Sequence, residues 1–413
     1  PLSGLYLLHM ERPIVILRPR EDLRIRAGHP WIYDNEIARV EGTPKAGGEI
    51  EVQDSRRLPL GSAFWNPASR IRARIYSRKP CPADTAFFVD SIRAALEWRR
   101  RFFNPEIQSL RLVFGEADGI PGLIIDSFVG KPAKDSPQPG RWLTAQFLSL
   151  GVARRKELIL DALAQVFPST GIMERSEGSV LVLEGLSPAV GVLRGTVPES
   201  ILMSENGLDF AIDIAGGQKT GWFLDQRANR AAVARLAPGK RVLDAFCNQG
   251  GFGLSCAAAG ASEVLAVDSS AEALAALRAN AELNGLSSKV RAEEANVFDF
   301  LRTIERKGEK FGLIVLDPPA FAKNRASIEA AGRGYKDLNL RAMRMLERGG
   351  ILATFSCSHW FGPKLFDDML EDAAHDAGKR LRTIEERSQD LDHPIVSGYG
   401  ESRYLKCRIL EVE

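Results

Sequence analysis

From about residue 200 onward, short apolar runs alternate with stretches of helical period. The pattern predicts strand Arg241–Phe246, helix Gly253–Ala259, strand Glu263–Val267 and helix Ala271–Leu283. It continues with a strand near Val290, helix Val297–Arg306, strand Leu313–Leu316, helix Asp337–Leu346 and strand Ile351–Phe355. A helix over Leu365–Ala377 and a strand over Tyr404–Leu410 close the chain. Repeated strand–helix units with short apolar strands predict an α/β fold with a doubly wound, mostly parallel sheet. Ligands of such sheets bind beyond the carboxyl ends of the strands.

The first 200 residues read differently. Apolar stretches Ile14–Leu17, Glu49–Val52, Leu60–Trp65 and Ile71–Tyr76 are separated by Gly, Pro and Asp turns, which predicts a small β-rich domain over 11–80. A mixed α/β domain is expected over 81–200, with a helix from Asp84 to Phe103, strands Leu110–Phe114 and Leu123–Asp126, an exposed loop Gly130–Gly140 and a second helix Arg154–Val166. Asn206-Gly207, between apolar runs, predicts a hairpin turn at the start of the third domain, 201–413.

Charge divides along the same lines. Residues 11–80 carry 14 basic and 9 acidic side chains, a net of +5, against −1 for 81–200 and −2 for 201–413. Arg70, Arg72 and Arg74 alternate with apolar residues, so a strand there would put three arginines on one face. That stripe is a candidate contact for nucleic-acid phosphates, and a solvated surface is the alternative. Five scattered cysteines without a CxxC argue against a disulfide framework or a zinc site and fit a reducing cytoplasm. No apolar run is long enough to cross a membrane.

The chemistry is expected at the strand ends. After the first strand comes Asp244-Ala245-Phe246-Cys247-Asn248-Gln249-Gly250-Gly251. Glycines there let the backbone turn tightly towards a ligand, but the spacing is not GxGxxG. The second strand ends at Asp268, which could accept from ribose hydroxyls or cap a helix. Asn296 could accept from an adenine amino group or cap the next helix. NAD and S-adenosylmethionine both fit this much. The fourth strand runs into Asp317-Pro318-Pro319, a stiffened carboxylate suited to a flat, hydrogen-bonding base. That favours methyl transfer to a nucleobase over dehydrogenation. Cys357, in a Ser-Cys-Ser context after the fifth strand, would share the cleft with Asp317, where a thiolate could add to a pyrimidine ring.

Together these residues resemble the RlmI family of 23S rRNA cytosine-5 methyltransferases over nearly the whole chain. His29-Pro30-Trp31-Ile32-Tyr33 and Asn66-Pro67-Ala68-Ser69 are similar to its PUA region. The blocks Gly217–Arg227, Leu316–Lys323, Gly332–Asp337 and Phe355–Ser358 follow in the family's order. The resemblance implies a PUA-like domain, a small α/β domain and a Rossmann-like class I methyltransferase domain. It implies Cys357 as nucleophile and Asp317 as the carboxylate facing base and cofactor. It implies S-adenosylmethionine contacts at Lys219, Gln226, Asp244, Phe246, Gly250, Asp268 and Asn296. Asn248-Gln249 replaces the family's usual Tyr-Thr, and Asn296 its usual acid. Arg333 and Lys336 join Arg70, Arg72 and Arg74 as candidate RNA contacts. The expected partner is ribosomal RNA with a single-stranded or flipped-out target base, and a homodimer is allowed. No metal is expected. An exocyclic-amino methyltransferase and a non-catalytic rRNA-binding assembly factor are the alternatives.

Overall fold

The computed structural model describes residues 12–132, 138–216, 221–322 and 324–413. In the N-terminal unit, six strands pair in the order Trp31–Tyr33, Ile71–Ser77, Pro59–Trp65, Glu49–Gln53, Ile14–Leu17, Ile37–Glu41. Four of these match the expected apolar stretches. Trp31–Tyr33 is too short to show a period, and Ile37–Glu41 is mostly exposed, so neither stands out in the sequence. Val15, Leu17, Ile32, Ile50, Val52, Ala63 and Ile75 fill the core.

The central sheet orders its strands Ala189–Gly195, Gly171–Ser176, Gly140–Phe147, Leu123–Pro132, Ser200–Glu205, Leu208–Asp213, with Leu110–Phe114 paired to Leu123–Pro132. Residues expected in a loop from Gly130 extend that strand to Pro132 instead. The hairpin turns at Asn206-Gly207 with both residues at positive φ, 52° and 82°, as an Asn-Gly turn allows. Its first strand pairs with the central sheet through Ile201↔Pro132 and Leu202↔Lys131. Its side chains Ile201, Met203, Phe210 and Ile212 lie in the core of the C-terminal unit. The hairpin therefore bridges two units, and strand pairing does not stop at residue 200.

In the C-terminal unit we label helix α1 (Arg227–Ala234), strand β1 (Arg241–Ala245), α2 (Gly251–Ala258), β2 (Glu263–Asp268), α3 (Ala271–Leu283), β3 (Val290–Glu294) and α4 (Val297–Arg306). Then follow β4 (Phe311–Leu316), α5 (Ile328–Met345), β5 (Leu346–Ser356), α6 (Pro363–Ala377), β6 (Leu381–Arg387) and β7 (Lys406–Val412). The sheet order is β3-β2-β1-β4-β5-β7-β6. The first five strands are parallel, and β7 is antiparallel to both neighbours. Strand residues alternate between two cores. Val242, Val264, Leu313 and Ala353 pack with α1 and α2, while Leu243, Leu265, Ile314 and Leu352 pack with α4, α5 and α6. This is the expected doubly wound architecture.

Two departures bear on the site. Helix α5 begins nine residues before the expected Asp337, because Gly332 and Gly334 are helical. Phe361 and Phe321 press against them, at 3.4 and 3.5 Å from where a Cβ would stand. The segment 388–405 between β6 and β7, which carries no period, packs back on both other units. Arg99 Nη2 donates to the Asp392 carbonyl at 2.8 Å, and His29 faces Glu401 at 3.2 Å. Gly28 and Gly398 meet backbone to backbone; a Cβ on Gly398 would stand 1.9 Å from the Ala27 carbonyl oxygen, so the contact needs glycine.

Candidate active site

The turn after β1 is built from left-handed residues. Phe246 has φ 66°, Asn248 48° and Gly250 87°. Positive φ is uncommon without glycine, and it folds this backbone tightly over the sheet edge. A Cβ on Gly250 would stand 2.8 Å from the Leu277 side chain. Asp268 organises the turn from the next strand: Oδ2 accepts from the Asn248 N–H at 2.9 Å and Oδ1 from the Ser270 N–H at 3.0 Å. Asp244 is 1% exposed, and its Oδ2 accepts from the Gly253 N–H at 2.7 Å. Its Oδ1 is buried with no hydrogen-bond partner among the described residues. Burial pushes the Asp244 carboxyl up to about 7; the Gly253 N–H opposes this, and the charges of Asp317 and Asp268 add to it. Asp268 and Asp317 thus lie close enough to Asp244 for their charges to act on it.

Asn296 is the N-cap of α4, its side-chain oxygen accepting from the Asp299 N–H at 3.3 Å. Phe246 packs edge-on against Phe298, at 6.4 Å between ring centroids. Lys219 lies outside the described residues.

Asp317 follows β4 and is held from α1's side. Gln226 Nε2 donates to Asp317 Oδ2 at 3.0 Å. Gln226 Oε1 in turn accepts from Asn229 Nδ2 at 2.7 Å, and Asn229 Oδ1 from Arg387 Nε at 2.8 Å. This relay fixes which end of the Gln226 amide faces Asp317.

Strand pairing places Leu316 opposite Thr354, so the segments after β4 and β5 leave the sheet side by side. The residues flanking Cys357 are clamped. Ser356 Oγ donates to the Tyr335 hydroxyl at 3.0 Å, and that hydroxyl lies 2.9 Å from Ser358 Oγ. Ser358 Oγ also accepts from the Ala322 N–H at 3.1 Å, tying the Asp-Pro-Pro loop to the Ser-Cys-Ser loop. Lys406, 3% exposed, donates from Nζ to the carbonyls of Ser358 at 2.7 Å and Tyr404 at 3.0 Å. Burial pulls its ammonium down to about 8, against the opposing charge of Cys357. Cys247, Cys256 and Cys407 are buried, and burial raises each thiol, whereas Cys357 is half-buried. Tyr335, Ser358 and Lys406 were not named as site residues in the sequence; Tyr335 stood in the Gly332–Asp337 block and Ser358 in the Phe355–Ser358 block, whereas Lys406 carried no signal.

The basic candidates are arranged otherwise than expected. The stripe of three arginines does not form. Arg70 is exposed, but Arg72 pairs with Asp34 at 2.6 Å. Arg74 is buried between Glu116 and Glu184, at 2.8 Å from each. The central unit covers and neutralises Arg74, whereas Arg72 is neutralised within its own unit. Arg333 and Lys336 lie on helix α5. Arg333 pairs with Glu329 at 2.5 Å, and Lys336 with Asp372 and Asp376 at 2.7 Å each.

Comparison with known proteins agrees with this architecture. A PUA-like domain family matches residues 15–78, and an S-adenosylmethionine-dependent methyltransferase family matches 160–400. The chain is 40% identical over 404 residues to ribosomal RNA large subunit methyltransferase I of Erwinia tasmaniensis, covering 96% of this chain and 99% of that protein. It is 39% identical over the same length to the protein of that name in Shigella boydii, again over 96% and 99%. A solved S-adenosylmethionine-dependent methyltransferase of Streptococcus mutans shares the fold with a TM-score of 0.81 and 20% identity, covering 96% of this chain and 99% of that one. With the domain order, the sheet order and the carboxylate-lined turn after β1 in place, these matches make the chain a member of the S-adenosylmethionine-dependent methyltransferases, in the ribosomal RNA large subunit methyltransferase I family.

Proposed function

We propose that this protein methylates C5 of a cytosine in 23S rRNA, through a covalent bond between Cys357 and C6 of the base. The observation that carries the reading is the half-buried Cys357, clamped by its flanking serines to the loop that bears Asp317. An exocyclic-amino methyltransferase has no use for a thiol in that place.

The residues after β1 and β2 fit S-adenosylmethionine. The unpartnered Asp244 Oδ1 and the left-handed turn suit a ligand with hydrogen-bond donors lying over the sheet edge. Asp268, Gln226, Phe246, Gly250 and Asn296 surround the same edge, and Lys219 belongs to the preceding block. When bound, the cofactor supplies an electrophilic methyl group on a sulfonium.

The protein's part is to make C5 nucleophilic. The Cys357 thiolate adds to C6, forming the S–C6 bond and moving electron density onto C5 and N3. Asp317, held by Gln226, hydrogen-bonds the exocyclic amino group and N3; its carboxyl proton passes to N3 as charge builds there and returns when the S–C6 bond breaks. C5 is then nucleophilic towards that methyl group; once it is methylated, a base or a water takes the C5 proton, and the C–H electrons re-form the C5=C6 bond and expel the Cys357 thiolate. A base within a helix cannot enter such a cleft, so the target is single-stranded or flipped out. The basic N-terminal unit, with Arg18, Arg20, Arg56 and Arg70 exposed, holds the RNA backbone.

The test is incubation with tritiated cofactor and 23S rRNA, then digestion to nucleosides. Label in 5-methylcytidine, abolished by Cys357→Ala with cofactor binding intact, is expected. Label in N4-methylcytidine or N6-methyladenosine would replace this reading by amino methylation, and RNA binding without label by an assembly role.

A further inference from the structure

Lysine is almost never buried without a partner charge. Lys406 is buried at the start of β7, and among the described residues no carboxylate lies within ion-pair distance of it. Its Nζ is spent on two main-chain carbonyls, those of Ser358 and Tyr404. Strand pairing sets Lys406 opposite Ser356, the residue before Cys357. The amine therefore bonds the residue after the cysteine and pairs across from the one before it.

We infer that Lys406 is a positioning residue that takes the proton of the Cys357 thiol and holds the resulting thiolate ready for the base. The inference rests on the covalent reading of Cys357. A neutral amine with two N–H bonds given to carbonyls keeps a lone pair for the thiol proton. After transfer the ammonium uses its third N–H towards sulfur, with the two carbonyls unchanged. The proton moves from Sγ to Nζ and no other bond changes. Burial pulls the Lys406 ammonium down to about 8, which brings its proton exchange towards neutral pH. Among the described residues no carboxylate pairs with Lys406 and competes for the charge.

The neighbouring titratable groups do not offer the same service. Burial raises the Tyr335 hydroxyl from helix α5, so it stays protonated, and it is engaged with Ser356 and Ser358. From the loop after β4, Asp317 acts across the sheet on Cys407 and is held by Gln226. His359, on the loop after β5, is electrostatically linked to Glu401 of the 388–405 segment, which pairs with His29. Tyr404 is tied through its hydroxyl to Asp225.

The test is the pH profile of Cys357 alkylation by iodoacetamide, resolved by peptide mass spectrometry in a Cys81→Ser background, since Cys81 is the other half-buried thiol. In the otherwise unaltered protein, alkylation of Cys357 is expected to rise at a pH below the ordinary thiol range. In Lys406→Met the profile should move up by about one unit, roughly tenfold slower alkylation near pH 7. Lys406→Arg, charged but without a lone pair to take the proton, should stay as slow as Lys406→Met, and full restoration by it would overturn the proton transfer. An unchanged profile in folded Lys406→Met would overturn the assignment. If that variant does not fold, an ordinary thiol profile in the parent protein overturns it equally. The two readings fail separately: turnover surviving in Cys357→Ala removes the covalent reading, whereas an unmoved alkylation profile removes only the role of Lys406.

Discussion

Gln226 Nε2 donates to Asp317 Oδ2 at 3.0 Å, joining the segment before β1 to the Asp-Pro-Pro loop after β4. The bond holds one carboxylate oxygen in place and leaves Asp317's orientation set by α1 as well as by its own prolines. Replacing Gln226 by Leu removes the donor at nearly constant volume. A hydrogen bond to a charged acceptor contributes about 1.5–3 kcal/mol, so turnover is expected to fall roughly 10- to 100-fold. Single-turnover kinetics beside a thermal melt will check this. Unchanged turnover in a folded protein would leave Asp317 without need of its clamp.

Asp268 has a double task if it binds the cofactor, because both its oxygens already accept main-chain N–H groups. Asp268→Ala should weaken S-adenosylmethionine binding by about 1–3 kcal/mol. Asp268→Asn keeps one acceptor oxygen and should lose less. Calorimetric titration of both variants gives the comparison; equal, unaltered affinities would place the ribose elsewhere.

Arg74 is expected to behave as a structural residue. Removing one partner of a buried ion pair costs about 3–5 kcal/mol, since Glu116 and Glu184 would be left facing each other. Arg74→Gln should therefore lower the melting temperature sharply while the salt dependence of RNA binding stays as before. Arg70→Gln, at an exposed position, should do the reverse and flatten the salt slope. Filter binding across salt, beside melts, separates the two.

Asp392 predicts an acid-sensitive junction. Burial works against its charge, but His393 at 2.7 Å, Arg227 at 3.3 Å and the Arg111 N–H at 2.8 Å outweigh it and hold the carboxyl below its usual range. A carboxyl lowered on folding adds stability that is full above its unfolded value, near 4, and is lost as pH falls further. Asp392→Asn should therefore destabilise the protein at pH 7 and flatten the acid limb of its stability curve. Denaturant melts from pH 3 to 7 measure this. A parallel downward shift at every pH would contradict it.

Much of the candidate site was legible because its chemistry is local. Asp317 precedes two prolines, Cys357 sits between serines, and Gly250 follows an apolar strand. Each can be read within a few residues of its strand end. Lys406 has no such mark: it opens an ordinary apolar strand, and only antiparallel pairing of β7 with β5 brings it to Ser356 and Ser358. Strand β6 was missed for another reason. It is an edge strand, and Arg382, Glu385, Glu386 and Arg387 give it no apolar face to detect.

The arginine strand marks where sequence stops and tertiary structure begins. Alternation along residues 71–76 by itself determined that a strand forms and that Arg72 and Arg74 share a face, because the pleat has a period of two. It said nothing of what covers that face. Glu116 and Glu184 lie 42 and 110 residues beyond Arg74 and turn a surface charge into a buried one. Segment 388–405 followed the same rule: without a period of its own, it took its shape from Arg99, Arg111 and His29 on the two units it packs against. Period and turn chemistry act over a few residues and so are written in the chain, whereas burial and charge partnership depend on contacts between distant segments that only the folded whole brings together.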